Sequence, residues 1–118
     1  MPVHVKRVYD PPSLKDGKRY LVERLWPRGV KKDALRIDAW VKGAAPSDGL
    51  RRWFGHDPEK WHGFRRRYRQ ELDWNADALG PILEAARRGP VTLVYSARDE
   101  EHNSAVVLAE YLQERLHA

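Results

Sequence analysis

The chain has 118 residues and a formal net charge of +5, and 42% of its residues are hydrophobic and 33% charged. This length and composition predict one domain with its own core, and no apolar stretch approaches the roughly 20 residues of a membrane-spanning helix. The absence of cysteine excludes disulfides, thiolate metal sites and a cysteine nucleophile. We therefore expect a single cytoplasmic domain over residues 1–118, without a signal peptide or membrane partner and with a preference for anionic partners.

The amino-terminal part of the chain is predicted to form two strands. Apolar residues indicate the first strand over residues 3–9, and turn-forming residues follow it from 10 to 17. The second strand is predicted over residues 20–26, where Pro27 stops it. Because no helical pattern separates the two strands, they could form a hairpin or be neighbours in a mixed sheet.

The middle of the chain begins with a poorly marked stretch. Residues 33–43 fit neither a helical nor an alternating pattern well, and we predict a short helix near residues 38–42 that ends at Gly43. The short helix that follows is better marked, because Ser47 is a suitable N-cap and Gly55 is a suitable end.

Two longer helices are predicted next. Asp57 followed by Pro58 is typical of a helix start. Apolar residues then recur at spacings of three or four, which places them on one buried face: Trp61, Phe64, Tyr68 and Leu72. Asn75 could cap the following helix, in which Pro81 predicts a kink or a start as late as Gly80.

The carboxyl-terminal part carries the clearest strand. Residues 91–95 are short and almost wholly apolar, as in a sheet covered on both faces. A polar loop follows, and a final helix is predicted to start at Asn103 or Ser104. The order of these elements predicts a compact α/β fold, with a short, largely parallel or mixed sheet covered by helices in a three-layer, Rossmann-like arrangement.

Two loops that follow strands carry the candidate binding residues. Ligands of open α/β sheets bind beyond the carboxyl ends of the strands, and the second loop leads into a helix N-terminus, which favours anions. Arginine can hold phosphate or carboxylate through two N–H groups. We therefore predict a site for an anionic, phosphate-bearing small ligand. The candidate residues are Arg24, Trp26, Arg28, Gly29, Ser96, Arg98, Asp99 and Asn103.

These arginines have a simpler alternative role. Arg98 could pair with Asp99 or Glu101, and Arg24 and Arg28 could pair with Glu23 and other acids. In that case the two loops would carry ordinary salt bridges and no ligand.

Catalysis has one candidate residue. His102 could carry a proton beside the pocket, because the ordinary pKa of histidine lies near neutral pH. It could equally cap or pack at the helix start, since spacing fixes no serine or carboxylate partner for it. Ser96 lacks the Gly-x-Ser-x-Gly setting of a nucleophile, and the five histidines form no close metal-ligand pair. We predict neither a metal nor a cofactor and leave open whether the protein is an enzyme.

A basic helix face offers the main alternative function. Arginines on an exposed helix could contact nucleic-acid phosphates without sequence preference. They could equally form a solvated face that is balanced by Glu59 and Glu71, and a non-enzymatic interaction domain that associates with itself is a third possibility. The arginines in question are Arg65, Arg66, Arg67 and Arg69.

Several blocks along the chain resemble the signature of the YeaO-like family, a branch of the domain of unknown function 488. They cover nearly the whole chain in the right order. The resemblance implies a compact bacterial α/β domain of this length and no assigned activity. The blocks are residues 7–10, 24–29, 45–47, 53–58, 68–72, 91–95 and 99–103.

One block differs from a longer branch of the same group. That branch carries a cysteine-histidine-arginine sequence where this chain has Glu101-His102-Asn103. The thiol is therefore missing here, and thiol chemistry suggested for those relatives does not transfer. Some members carry a transcriptional-regulator label, but no DNA-reading element is visible in these residues.

Overall fold

A four-stranded parallel sheet forms the centre of the fold in the computed structural model, which describes residues 3–117. The order of the strands across the sheet is β1-β4-β2-β3, so all their carboxyl ends lie along one edge. The expected α/β class is confirmed. The strands are β1 (Val3–Arg7), β2 (Lys18–Leu21), β3 (Ala39–Trp40) and β4 (Val91–Tyr95).

The other elements within residues 3–117 are five α-helices and three single 3₁₀ turns, Leu14–Asp16, Lys42–Ala44 and Pro58–Lys60. The predicted N-cap Ser47 is confirmed, because its hydroxyl accepts the N–H of Leu50. The final helix begins at Ser104, as expected, and the Asn103 amide oxygen caps it by accepting the N–H of Val106. Asp57 likewise caps the 3₁₀ turn that leads into the third helix. The helices are α1 (Lys32–Leu35), α2 (Asp48–Phe54), α3 (Trp61–Trp74), α4 (Ala76–Arg88) and α5 (Ser104–Leu116).

The two faces of the sheet are covered unequally. Helices α2 to α5 pack against one face, where Leu93 and Tyr95 of β4 join the buried rings of Phe64 and Tyr68. The other face has a smaller apolar cluster, centred on Leu21 and covered by α1 and its neighbouring loops. The layered arrangement is therefore present, with a thin third layer.

Three predicted details of the first half are wrong. Strand β2 ends at Leu21 instead of residue 26, because Glu23 turns away to bind the loop after β4. Strands β1 and β2 form neither a hairpin nor a neighbouring pair, since β4 lies between them and all three are parallel. The segment 38–42 contains β3 where a helix was expected, and the helical turn is α1, before it.

Helix α4 agrees with its prediction only in part. It begins at Ala76, directly after Asn75 and not as late as Gly80, and it contains Pro81. The Asn75 side chain does not cap it, because its amide donates to the carbonyl of Glu71. The longest helix is α3, with 14 residues, and no helix within residues 3–117 has the length and apolar character needed to cross a membrane.

Candidate functional site

A cleft of about 560 Å³ opens at the carboxyl ends of the strands. The loops after β2 and β4 form it together with the turn before α2 and the first turn of α5. Most of the predicted site residues meet there: Arg24, Trp26, Ser96, Arg98, Asp99, His102 and Asn103. The volume lies within the range of small-molecule pockets, about 300–1,000 Å³.

Glu23 joins the two loops that frame the cleft. One oxygen of its carboxylate accepts the Ser96 N–H at 2.6 Å and the Ser96 hydroxyl at 2.7 Å. This pair of bonds engages one carboxylate oxygen and occupies the hydroxyl proton. Ser96, a predicted ligand-binding residue, therefore holds the β4 loop against the β2 loop.

Arg24 reaches the cleft from a fixed position. Its Nε donates to the carbonyl of Pro46 at 2.6 Å, and its terminal amino groups make no hydrogen bond with any residue from 3 to 117. The turn that carries Pro46 is itself anchored by α3, because the Tyr68 hydroxyl donates to the carbonyl of Ala44. Burial raises the pKa of Tyr68 well above its ordinary value, so this donor keeps its proton.

The same turn has a second anchor in α3. The carboxylate of Glu71 accepts the Ser47 N–H at 2.7 Å and the Ser47 hydroxyl at 2.6 Å. Arg24 is therefore supported by a turn that two side chains of α3 hold in place. Its terminal amino groups stand at the cleft on a side chain that is held in place at Nε.

The loop after β4 is organised by Asp99. One carboxylate oxygen accepts the N–H groups of Glu101 and His102, both at 2.9 Å. These backbone hydrogen bonds, that of Glu101 first, hold the pKa of Asp99 below its ordinary value. Asn103, another predicted binding residue, is buried, donates to the carbonyl of Asp99 and caps α5. Asp99 and Asn103 therefore shape the loop through their own hydrogen bonds.

His102 has a carboxylate partner that spacing alone did not reveal. Its Nδ1 lies 2.9 Å from the second oxygen of Asp99, and its ring meets Trp61 edge to face at 5.1 Å. An ionised carboxylate only accepts hydrogen bonds, so Nδ1 carries the proton in this bond. The other ring nitrogen, Nε2, takes no part in the bond to Asp99. Asp99 stands three residues before His102 at a helix start, but this spacing by itself does not indicate a bonded pair.

The remaining predicted residues are placed differently. Arg98 is exposed at the cleft and makes no hydrogen bond or ion pair with residues 3–117, because Asp99 bonds to its own loop. Arg28 and Gly29 lie outside the cleft lining, and the carbonyl of Arg28 accepts the Tyr9 hydroxyl. Trp26 lines the cleft, but its indole N–H donates to the carbonyl of Val30 at 2.7 Å.

Helix α2 and the turn that follows it supply two cleft residues that sequence reasoning missed. Arg51 and His56 both line the cleft, and Arg51 also contacts Asp48 at 3.2 Å. No local motif marks them, because they reach the site only through the packing of α2 on α3. No group of three or more histidine, aspartate or glutamate side chains within residues 3–117 is arranged to hold a metal ion.

The arginines of α3 are largely engaged with the protein itself. Arg65 pairs with Glu110 at 2.5 Å and Arg69 pairs with Glu114 at 2.7 Å, both on α5. The expected balance by Glu59 and Glu71 is therefore replaced by two α5 glutamates. Arg67 lies 4.1 Å over the ring of Trp53, and Arg66 is exposed.

Comparisons with known proteins give one consistent family. The family described as the inactive DUF488-N3 subclade matches residues 2–118. The uncharacterized protein YeaO of Escherichia coli is 42% identical over 113 residues, which cover 96% of this chain and 98% of YeaO. The uncharacterized protein Rv3073c of Mycobacterium tuberculosis is also 42% identical over 113 residues, with 96% of this chain and 95% of that protein covered. No solved structure matches the chain.

Proposed function

The chain belongs to the YeaO-like proteins of the DUF488 family, within the inactive DUF488-N3 subclade, and from that premise we propose that it binds an anionic, phosphate-bearing small ligand in the cleft. The observation that carries the proposal is a pair of arginines without acidic partners. Arg24 and Arg98 both line the cleft, and neither forms an ion pair with a residue from 3 to 117.

The acidic residues of the cleft are not bonded to these two arginines. Glu23 is bound to Ser96, and Asp99 is bound to its own loop and to His102. The guanidinium groups of Arg24 and Arg98 are thus open to another acceptor. An anion placed between Arg24 and Arg98 would accept charge-assisted hydrogen bonds, which are stronger than neutral ones.

Binding without turnover fits the contacts of the cleft best. His102 is oriented by Asp99, but the Ser96 hydroxyl donates to Glu23 and not to His102. A serine nucleophile needs a base within hydrogen-bond reach, and no pair of that kind is formed in the cleft by residues 3–117. The description of the subclade as inactive supports the same role.

Thermal unfolding with inorganic phosphate and pyrophosphate tests the proposal. A ligand at about 100 times its dissociation constant stabilises the folded state by about 2.7 kcal/mol, which raises the melting temperature by several degrees. Arg98→Ala should remove most of that shift while leaving the melting temperature of the free protein unchanged, because Arg98 is exposed and forms no hydrogen bond or ion pair with residues 3–117.

Arg66→Ala is the matched control. Arg66 is also an exposed arginine, but it lies on α3 and outside the cleft lining. Its removal should leave the anion shift intact. The proposal fails if neither anion shifts the melting temperature, or if both variants lose the shift equally.

A further inference from the structure

The floor of the cleft consists of packed aromatic rings. Phe54 and Phe64 line the cleft, and their rings stack with centroids 4.3 Å apart and an angle of 23° between the planes. Trp61 stacks on Phe64 at 5.8 Å and meets the His102 ring at 5.1 Å. These contacts fix the rings in place, and Phe54 and Phe64 are themselves buried, so the floor is a rigid apolar layer with little exposed ring surface.

The wall beside Arg24 is apolar as well. Leu25 lines the cleft with 68% of its surface exposed, although a leucine side chain favours burial. Trp26 and Pro27 follow it along the same wall, and Pro46 faces the cleft from the turn before α2. The arginines therefore border a cleft whose other surfaces are mostly apolar.

The size of the cleft exceeds that of a bare anion. A phosphate ion occupies the space of a few water molecules, each with a share of about 30 Å³ of liquid. The cleft measures about 560 Å³. A small ion at Arg24 and Arg98 would leave the exposed side chain of Leu25 in contact with water.

We infer that the ligand is an aromatic anion, in which a phosphate is joined directly or by a short link to a flat apolar ring. The inference rests on the proposed anion binding and adds the class of the ligand. The anionic group lies between Arg24 and Arg98, and the ring lies over the buried floor and against the exposed side chain of Leu25. Removal of the ring and of the Leu25 side chain from water then adds to the affinity.

Calorimetric titration of the unmodified protein with three phosphomonoesters tests the inference. Methyl phosphate, glucose 6-phosphate and phenyl phosphate share the anionic group and differ in what it carries. We expect phenyl phosphate to bind at least about tenfold more tightly than methyl phosphate, because burial of an apolar ring raises a binding constant by more than about tenfold. Glucose 6-phosphate should bind no better than methyl phosphate.

The outcomes separate the two proposals. Equal affinities for methyl and phenyl phosphate overturn the aromatic class and leave anion binding in place. Tighter binding of glucose 6-phosphate than of phenyl phosphate also overturns it, because the apolar floor would then not be used. No binding of any of the three esters overturns both proposals.

A pair of leucine variants locates the ring. Leu25→Ser should weaken phenyl phosphate severalfold and leave methyl phosphate unchanged, since only the ring reaches the apolar wall. Leu14→Ser is the control, because Leu14 is fully exposed and lies outside the cleft lining. Unchanged affinity of phenyl phosphate in Leu25→Ser would contradict the placement of the ring.

Discussion

Two arginines five residues apart in the chain lie in opposite surroundings. Arg19 of β2 is buried on the thinly covered face of the sheet, where its three donor nitrogens all have partners. Its Nη1 lies 2.5 Å from the carboxylate of Asp16. Arg24, just past the end of β2, uses only its Nε and keeps its terminal amino groups free of described partners.

The difference teaches how the role of an arginine can be assigned. A buried guanidinium with every donor satisfied is part of the architecture, because loss of a partner would leave a desolvated charge. A fixed guanidinium with free donors in a cleft is available for a ligand. The α3 arginines are intermediate, since Arg65 and Arg69 are paired with glutamates but partly exposed.

The largest effect on stability is expected at the carboxylate that pairs with the buried Arg19. Asp16→Ala should reduce the free energy of unfolding by about 3–5 kcal/mol, because it leaves Arg19 buried without a carboxylate. Burial alone would raise the pKa of Asp16, but hydrogen bonds from the Ser13 N–H, Lys6 and Arg19 outweigh it and lower the pKa. Urea denaturation measures the change.

An exposed ion pair provides the control for that measurement. Glu84 and Arg88 form a pair whose side chains are 59% and 81% exposed. Glu84→Ala should change the free energy of unfolding by less than about 1 kcal/mol, since such pairs contribute little. An equal loss of unfolding free energy in the Asp16→Ala and Glu84→Ala variants would show that the buried pair of Asp16 and Arg19 contributes no more than an exposed ion pair.

Substitution of Arg24 tests whether the free guanidinium in the cleft binds phosphate. Arg24→Ala should weaken phosphate binding by about tenfold or more, because a hydrogen bond to a charged group contributes about 1.5–3 kcal/mol. Arg24→Lys should restore only part of the affinity, since a single ammonium cannot both anchor to Pro46 and offer a forked donor. Calorimetric titration checks both variants, and full affinity in Arg24→Ala would contradict the assignment.

The helical half and the caps could be predicted from the sequence because their signals are local. Ser47, Asp57 and Asn103 each supply the oxygen that a helix start requires, and the apolar spacing of α3 identifies its buried face. The strand β4 was equally clear, since both of its faces are buried.

The first half could not be predicted because tertiary contacts override its pattern. Residues 22–26 are apolar enough for a strand, but Glu23 and Arg24 leave the sheet to bind Ser96 and Pro46. The insertion of β4 between β1 and β2 joins segments about 70 residues apart, and no local pattern records it. For the same reason Arg51 and His56 could not be assigned to the cleft.

Substitution of two glutamates on α5 can free the paired arginines of α3 from their ion pairs. Glu110→Gln together with Glu114→Gln removes the acidic partners of Arg65 and Arg69. Stability should fall by only about 0.2–1 kcal/mol for each exposed pair. The double variant should bind duplex DNA more tightly than the unmodified protein at low salt, with each freed charge steepening the logarithmic salt dependence by about 0.9.

Filter binding across a salt series checks this gain. Arg65→Ala with Arg69→Ala, added to the double variant, should abolish it. Phosphate binding in the cleft should remain unchanged in all of these variants. Tight, salt-dependent DNA binding by the unmodified protein would show that the ion pairs do not block the α3 face.

The smallest expected effect concerns the loop that carries Arg98. The pKa of Asp99 is lowered in the folded protein, so its contribution to stability is present above the unfolded value of about 3.9 and is lost as pH falls through the folded pKa. The melting temperature of Asp99→Asn should therefore lie below that of the unmodified protein at neutral pH, and the difference should vanish in acid.

Salt distinguishes the cause of this pH dependence. The N–H groups of Glu101 and His102 lower the pKa of Asp99 through hydrogen bonds more than through distant charges. The difference between the two proteins should therefore persist at about 1 M salt, where the screening length is only about 3 Å. A difference that is constant from neutral to acid pH, or that disappears in salt at neutral pH, would mean that these hydrogen bonds do not hold the carboxylate. The Arg98 loop would then lack the fixed shape that distinguishes the cleft from the α3 face.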